Sequence, residues 1–157
     1  MNERRKAEQL EIYNEFGQLD YTIIPNYKIK QNFMTPSEIK LYKILVLATK
    51  EIREKYRLKL EIFAQVALNR IVEINNMRKQ EMLFKNISER SIDFVLYNKE
   101  TDKIYCCIEL DDETHNQENR IKRDKIIDNA LSKNIKMIHI KRENSYNLNE
   151  LIEKIIK

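Results

Sequence analysis

The chain has 157 residues, enough for one domain with a substantial core and too few for two ordinary ones. It is 42% hydrophobic and 34% charged, with 29 basic against 25 acidic residues for a net charge of +4, the pattern of a soluble globular protein that permits nucleic-acid binding without demanding it. One glycine and two prolines exclude a glycine-rich phosphate loop of the P-loop or Rossmann kind and argue against an all-β sandwich.

Residues 3–16 are charged, with a short apolar stripe through Leu10, Tyr13 and Phe16, and predict a helix ended by Gly17. Residues 18–33 read as extended, with a turn at Pro25 and Asn26, so residues 1–33 form an N-terminal helix and linker and residues 34–157 the main domain. Thr35-Pro36-Ser37-Glu38 is a helix start, with Thr as N-cap, Pro at the first helical position and Glu three residues after the cap. That helix should run to about Tyr56 and bury Leu41, Leu45, Ala48 and Ile52. Leu60, Ile62, Ala64 and Val66 alternate as in a half-buried strand, and Ile71, Val72 and Ile74 could add a helical turn before a basic loop over 77–90.

The segments S-I-D-F-V-L-Y and I-Y-C-C-I-E-L-D-D-E-T-H predict two strands joined by a turn over 98–103. Alternation puts Ile92, Phe94 and Leu96 on one face of the first and Asp93, Val95 and Tyr97 on the other. In the second, Tyr105, Cys107, Glu109 and Asp111 share a face. Adjacent Cys106 and Cys107 suit neither an ordinary disulfide nor a zinc site; they read as core thiols pointing to opposite faces, in a reducing compartment. No secretory signal or long apolar run appears, so the expected location is cytoplasmic. A helix over 118–132, a strand over 135–140 and a closing helix over 147–157 complete an α/β order of α-β-β-β-α-β-α: a mixed central sheet flanked by helices.

The acids are the chemical signal. If the two strands pair with polar faces aligned, Asp93 and Glu109 become neighbours, and two unit charges about 4 Å apart at an effective dielectric near 20 repel by roughly 4 kcal/mol. A shared proton, a nearby cation or a wider spacing would relieve this. A hard divalent cation is a natural remedy, and it would suit phosphodiester hydrolysis. The plain alternative is that the acids cap a strand end and pair with Lys or Arg of the next helix. His115, just past the strand, could be a general base, a phosphate contact, a metal ligand or a surface turn residue. His139, between apolar neighbours in a strand, reads as structural. Arg120, Lys122, Arg123 and Lys125 make a basic helix edge suited to phosphates, although Arg120 and Asp124 also form an ordinary i,i+4 pair. Glu38 is explained by its capping role alone, with a part in the site as the other reading.

These motifs, M-T-P-S-E, S-I-D-F-V-L-Y, I-E-L-D-D-E-T-H, K-R-D-K-I-I-D-N-A-L and I-K-M-I-H-I, resemble in order and spacing the PD-(D/E)XK nuclease superfamily. The resemblance is to a branch with an E-L-D-x-x-x-H element followed by R-D, related to very-short-patch-repair endonucleases, and covers residue 34 to about 157. It implies a restriction-endonuclease-like core and a Mg²⁺- or Mn²⁺-dependent endonuclease acting on DNA, as a homodimer or within a larger nucleic-acid-processing assembly. By the same resemblance Asp93 and Glu109 would be the metal ligands. Glu38, Asp111, His115 and Lys125 would complete the catalytic set, and Arg120, Lys122 and Arg123 would contact nucleic acid. Asp111 stands where superfamily nucleases usually carry Lys; Lys122, Lys125 or His115 would then take that role, or the domain is an inactive nucleic-acid-binding or protein-interaction module.

Overall fold

In the computed structural model, which describes residues 28–73, 87, 90–111, 131 and 134–157, the T-P-S-E signal starts a helix as its chemistry requires. Helix α1 spans Pro36–Tyr56. Glu38 N donates to Thr35 Oγ1 at 3.3 Å and Thr35 N donates to Glu38 Oε2 at 2.7 Å, so the capping box satisfies two backbone donors reciprocally. Leu41, Leu45, Ala48 and Ile52 are buried at helical spacing, and Arg57 closes the helix at φ 58, in the left-handed region. By its contacts the chain divides into Met1–Phe33 and Met34–Lys157, and the second unit holds every described element.

Strand β1 (Leu60–Ala67) runs into a 3-10 turn at Leu68–Arg70, upstream of the helical turn expected at Ile71 and Val72. Strands β2 (Ser91–Asn98) and β3 (Lys103–Asp111) form the expected hairpin. Asn98 Oδ1 accepts from the N–H groups of Glu100 and Thr101, and Asp102 takes φ 58, which closes the turn. Strand β4 (Lys136–Lys141) follows, then helix α2 (Leu148–Ile156), whose N-cap Asn147 accepts from Asn149 N and Glu150 N. The sheet order is β1-β2-β3-β4, antiparallel through β3 and parallel between β3 and β4. This is the predicted α/β class, a mixed sheet with flanking helices. A parallel pair needs a crossover of a dozen or more residues, and 112–135 is long enough for one. The expected helix over 118–132 falls there, outside the described residues except for buried Leu131.

The sheet divides two cores. Phe94, Leu96, Cys106, Ile108, Leu110, Ile138 and Ile140 pack with α1 and α2. Val95, Cys107, Leu68, Ile92 and Leu131 build the second core. Cys106 and Cys107 are free, buried and in different cores, as strand alternation demands. One expectation fails: Ile92 does not share its core with Phe94 and Leu96 but joins Val95 and Cys107. The cause lies across the ladder, where Ala64 packs against the first core and Val66 against the second, with Gln65 between them at φ 52. That left-handed residue rotates the end of β1, and its partner β2, paired at Ala64–Phe94 and Val66–Ile92, turns with it.

Candidate active site

Asp93 occupies the point where β2 changes cores. The β2–β3 ladder pairs Leu96 with Cys106, Val95 with Cys107 and Phe94 with Ile108; one further step of that register sets Asp93 opposite Glu109. At that step Leu110 N donates 2.9 Å to Asp93 Oδ2, so a side chain takes a strand N–H. A side-chain hydrogen bond joins Asp93 to Glu109.

The opposite flank of Asp93 is held by Gln65. Its Nε2 donates to Asp93 Oδ1 at 3.4 Å, while its Oε1 accepts from Ser91 Oγ at 3.0 Å. Gln65 thus turns β1 and fixes the carboxylate, a double role for which a left-handed non-glycine residue costs about 1–2 kcal/mol. Burial holds the Asp93 carboxyl above its ordinary value, and the charge of Glu38 pushes in the same direction. The hydrogen bonds from Leu110, Glu109 and Gln65 oppose them. Glu38 therefore serves twice, capping α1 and placing its charge near Asp93.

Among the predicted site residues the structure joins Asp93 to Glu109, and the charge of Glu38 acts on Asp93. Asp111, at the end of β3, points elsewhere: its Oδ1 lies 3.2 Å from His139 Nδ1, and the two side chains are 50% and 40% exposed. His139 is exposed between buried Ile138 and Ile140 and pairs with Asp111. The parallel register sets it beside Glu109 and sets Lys141 beside Asp111. Gln65, His139 and Lys141 were not among the predicted site residues. Gln65 left a faint trace, a long polar side chain in an apolar strand; His139 and Lys141 depend on a pairing distant in sequence. His115, Arg120, Lys122, Arg123 and Lys125 lie outside the described residues.

Among the described residues no group of three or more His, Cys, Asp or Glu side chains is placed to hold a metal ion. The donor set that does exist, Asp93 with Glu109, fits a small hard cation, since Mg²⁺ takes one or two protein carboxylates and completes its shell with water and substrate oxygens. Among the same residues no helix is long and apolar enough to cross a membrane.

Fold and site together define an α/β domain with two hydrogen-bonded carboxyls on neighbouring strands. Residues 30–157 match the family described as Protein of unknown function (DUF2726), and the chain belongs to that family. No curated protein matches the chain, and no solved structure does.

Proposed function

We propose that this domain is a metal-dependent endonuclease that hydrolyses phosphodiester bonds in DNA, with Mg²⁺ or Mn²⁺ as cofactor. The observation that carries the reading is the Asp93–Glu109 pair, held by Gln65 and the Leu110 N–H beside the charge of Glu38. Carboxyls gathered this way gain from a bound cation, which when present would polarise a phosphate oxygen and lower the pKa of a coordinated water. Asp93 and Glu109 would hold it, Glu38 would add negative potential, and Gln65 would keep the Asp93 carboxylate oriented. The resemblance to PD-(D/E)XK nucleases supports the same roles and adds His115 and Lys125 to the catalytic set, with Arg120, Lys122 and Arg123 on the nucleic acid. A cytoplasmic location suits the two free thiols, and the resemblance favours a homodimer or a larger nucleic-acid-processing assembly.

The test is cleavage of circular and linear DNA in Mg²⁺ or Mn²⁺ by the wild type, Asp93→Ala and Glu109→Ala. Cleavage by the wild type and a loss of at least about a hundredfold in each variant are expected, the scale of removing groups that stabilise a transition state. Equal cleavage by all three proteins, or none by the wild type with either metal, refutes the enzyme reading. A second reading, an inactive nucleic-acid-binding or protein-interaction module, draws on Asp111, which replaces the superfamily's usual Lys and is engaged with His139. Metal-independent DNA binding without cleavage would favour it.

A further inference from the structure

We infer that strand β4 is the phosphate-holding wall of this site, with His139 and Lys141 contacting the DNA backbone. The inference rests on the nuclease reading and names the substrate-binding side of the same site. A site built from Asp93, Glu109 and Glu38 repels a polyanion, so a substrate backbone needs cationic or donor groups close to those acids. Pairing between β3 and β4 supplies two at adjoining positions: His139 is the register partner of Glu109, and Lys141 that of Asp111. Both alternate with buried Ile138 and Ile140, so the strand buries one set of side chains and exposes the other.

Asp111 fixes the first of these contacts. Its Oδ1, 3.2 Å from His139 Nδ1, sets the plane of the imidazole. Lys141 supplies a point charge of the kind that binds phosphates. A cavity of about 210 Å³ opens beside these residues, with His139, Lys141, Glu143, Tyr146, Glu150 and Lys154 in its wall. The cavity carries acids as well as cations, so the positions of His139 and Lys141 relative to Glu109, not the net charge, carry the inference. Asp111 is in these terms a positioning residue acting through His139.

The experiment is fluorescence anisotropy with a labelled short DNA duplex in EDTA, which measures binding apart from cleavage. The proteins are the wild type, His139→Gln, Lys141→Gln, Lys141→Arg and, as a control, Lys99→Gln, whose lysine pairs with Glu61 on β1. His139→Gln and Lys141→Gln should each weaken binding about fivefold or more, and Lys141→Gln should lower the slope of log affinity against log salt by about 0.9. Lys141→Arg should restore both, and Lys99→Gln should change neither. Thermal melts matching the wild type will show that these exposed substitutions leave the fold intact. Unchanged affinity in both glutamine variants, beside a wild type that binds, overturns this inference and leaves the nuclease reading standing. A wild type that does not bind DNA in EDTA also overturns this inference, while the nuclease reading is decided separately by cleavage in Mg²⁺ or Mn²⁺.

Discussion

Removing only the charge of Asp93 should stabilise the folded protein at neutral pH, whereas removing the whole carboxylate should destabilise it. Asp93→Asn keeps an oxygen to accept from Leu110 N, now 2.9 Å from Oδ2, and ends the repulsion from Glu38. The sign follows from linkage. Burial and Glu38 raise the Asp93 pKa in the folded state, so the folded protein binds more protons than the unfolded chain. Stability from this group is full below the ordinary aspartate value and falls as pH rises toward the raised one. The side chain is only partly buried, so solvent screens part of this effect, and the gain is read as a modest rise in Tm. Asp93→Ala instead leaves the Leu110 N–H without its acceptor, at a cost of about 1–3 kcal/mol.

The assay is thermal unfolding followed by circular dichroism from pH 4 to pH 8, with EDTA present. The difference between Asp93→Asn and wild type should grow with pH across this range, and Asp93→Ala should melt below the wild type throughout. A constant difference between Asp93→Asn and wild type, or equal destabilisation by both substitutions, would refute the charge argument. Adding Mg²⁺ extends the test. If the carboxyl pair holds the ion, saturation at about 100 times Kd stabilises the wild type by about 2.7 kcal/mol, and Asp93→Asn loses most of that gain.

Burial pushes both thiols up to about 12, so neither Cys106 nor Cys107 should react with a disulfide reagent at pH 8 until denaturant exposes them; fast reaction in native buffer would contradict their placement in the two cores. Arg57→Gly should raise stability by about 1 kcal/mol, because glycine adopts the φ 58 of this helix end without the cost a Cβ brings; an unchanged or lower Tm would argue against that conformation. Glu38→Ala should cost about 0.5–1 kcal/mol through the lost reciprocal cap, less than Thr35→Ala, since it relieves repulsion on Asp93 at the same time; urea midpoints for the two variants measure the difference.

The legible parts of the fold were those encoded locally. T-P-S-E specifies its helix because each residue acts on backbone groups within one turn. The β2–β3 hairpin was readable for the same reason, and with it came the encounter of Asp93 with Glu109, two acids set in apolar strands and joined by a short turn. Strand alternation, however, assumes a regular backbone, and Gln65 breaks it. Nothing about a glutamine in an apolar strand announces φ 52, since neither Gly nor Asn marks the position. The transfer of Ile92 to the second core follows from that one residue. The exposure of His139 was not legible either, because sequence periodicity separates buried from exposed faces only when the neighbours on both sides are known. M-I-H-I looks like core, and its histidine is exposed because of where β4 joins the sheet.

Placement of β4 also changes the meaning of Asp111. As a third carboxylate added to Asp93 and Glu109 it would deepen their repulsion without adding a cation to balance it, and its replacement of lysine would then weigh against catalysis. Its carboxylate is instead 3.2 Å from His139 on the neighbouring strand, and the next residue along that face, Lys141, is its own register partner. A cation, Lys141, thus faces Asp111 from the neighbouring strand. In the proposed nuclease, charge balance then depends on the β3–β4 pairing rather than on residue 111 alone. Asp111→Lys would lose the His139 contact and place two cations side by side at the end of the sheet, so in the proposed nuclease it should lower the rate of DNA cleavage rather than raise it.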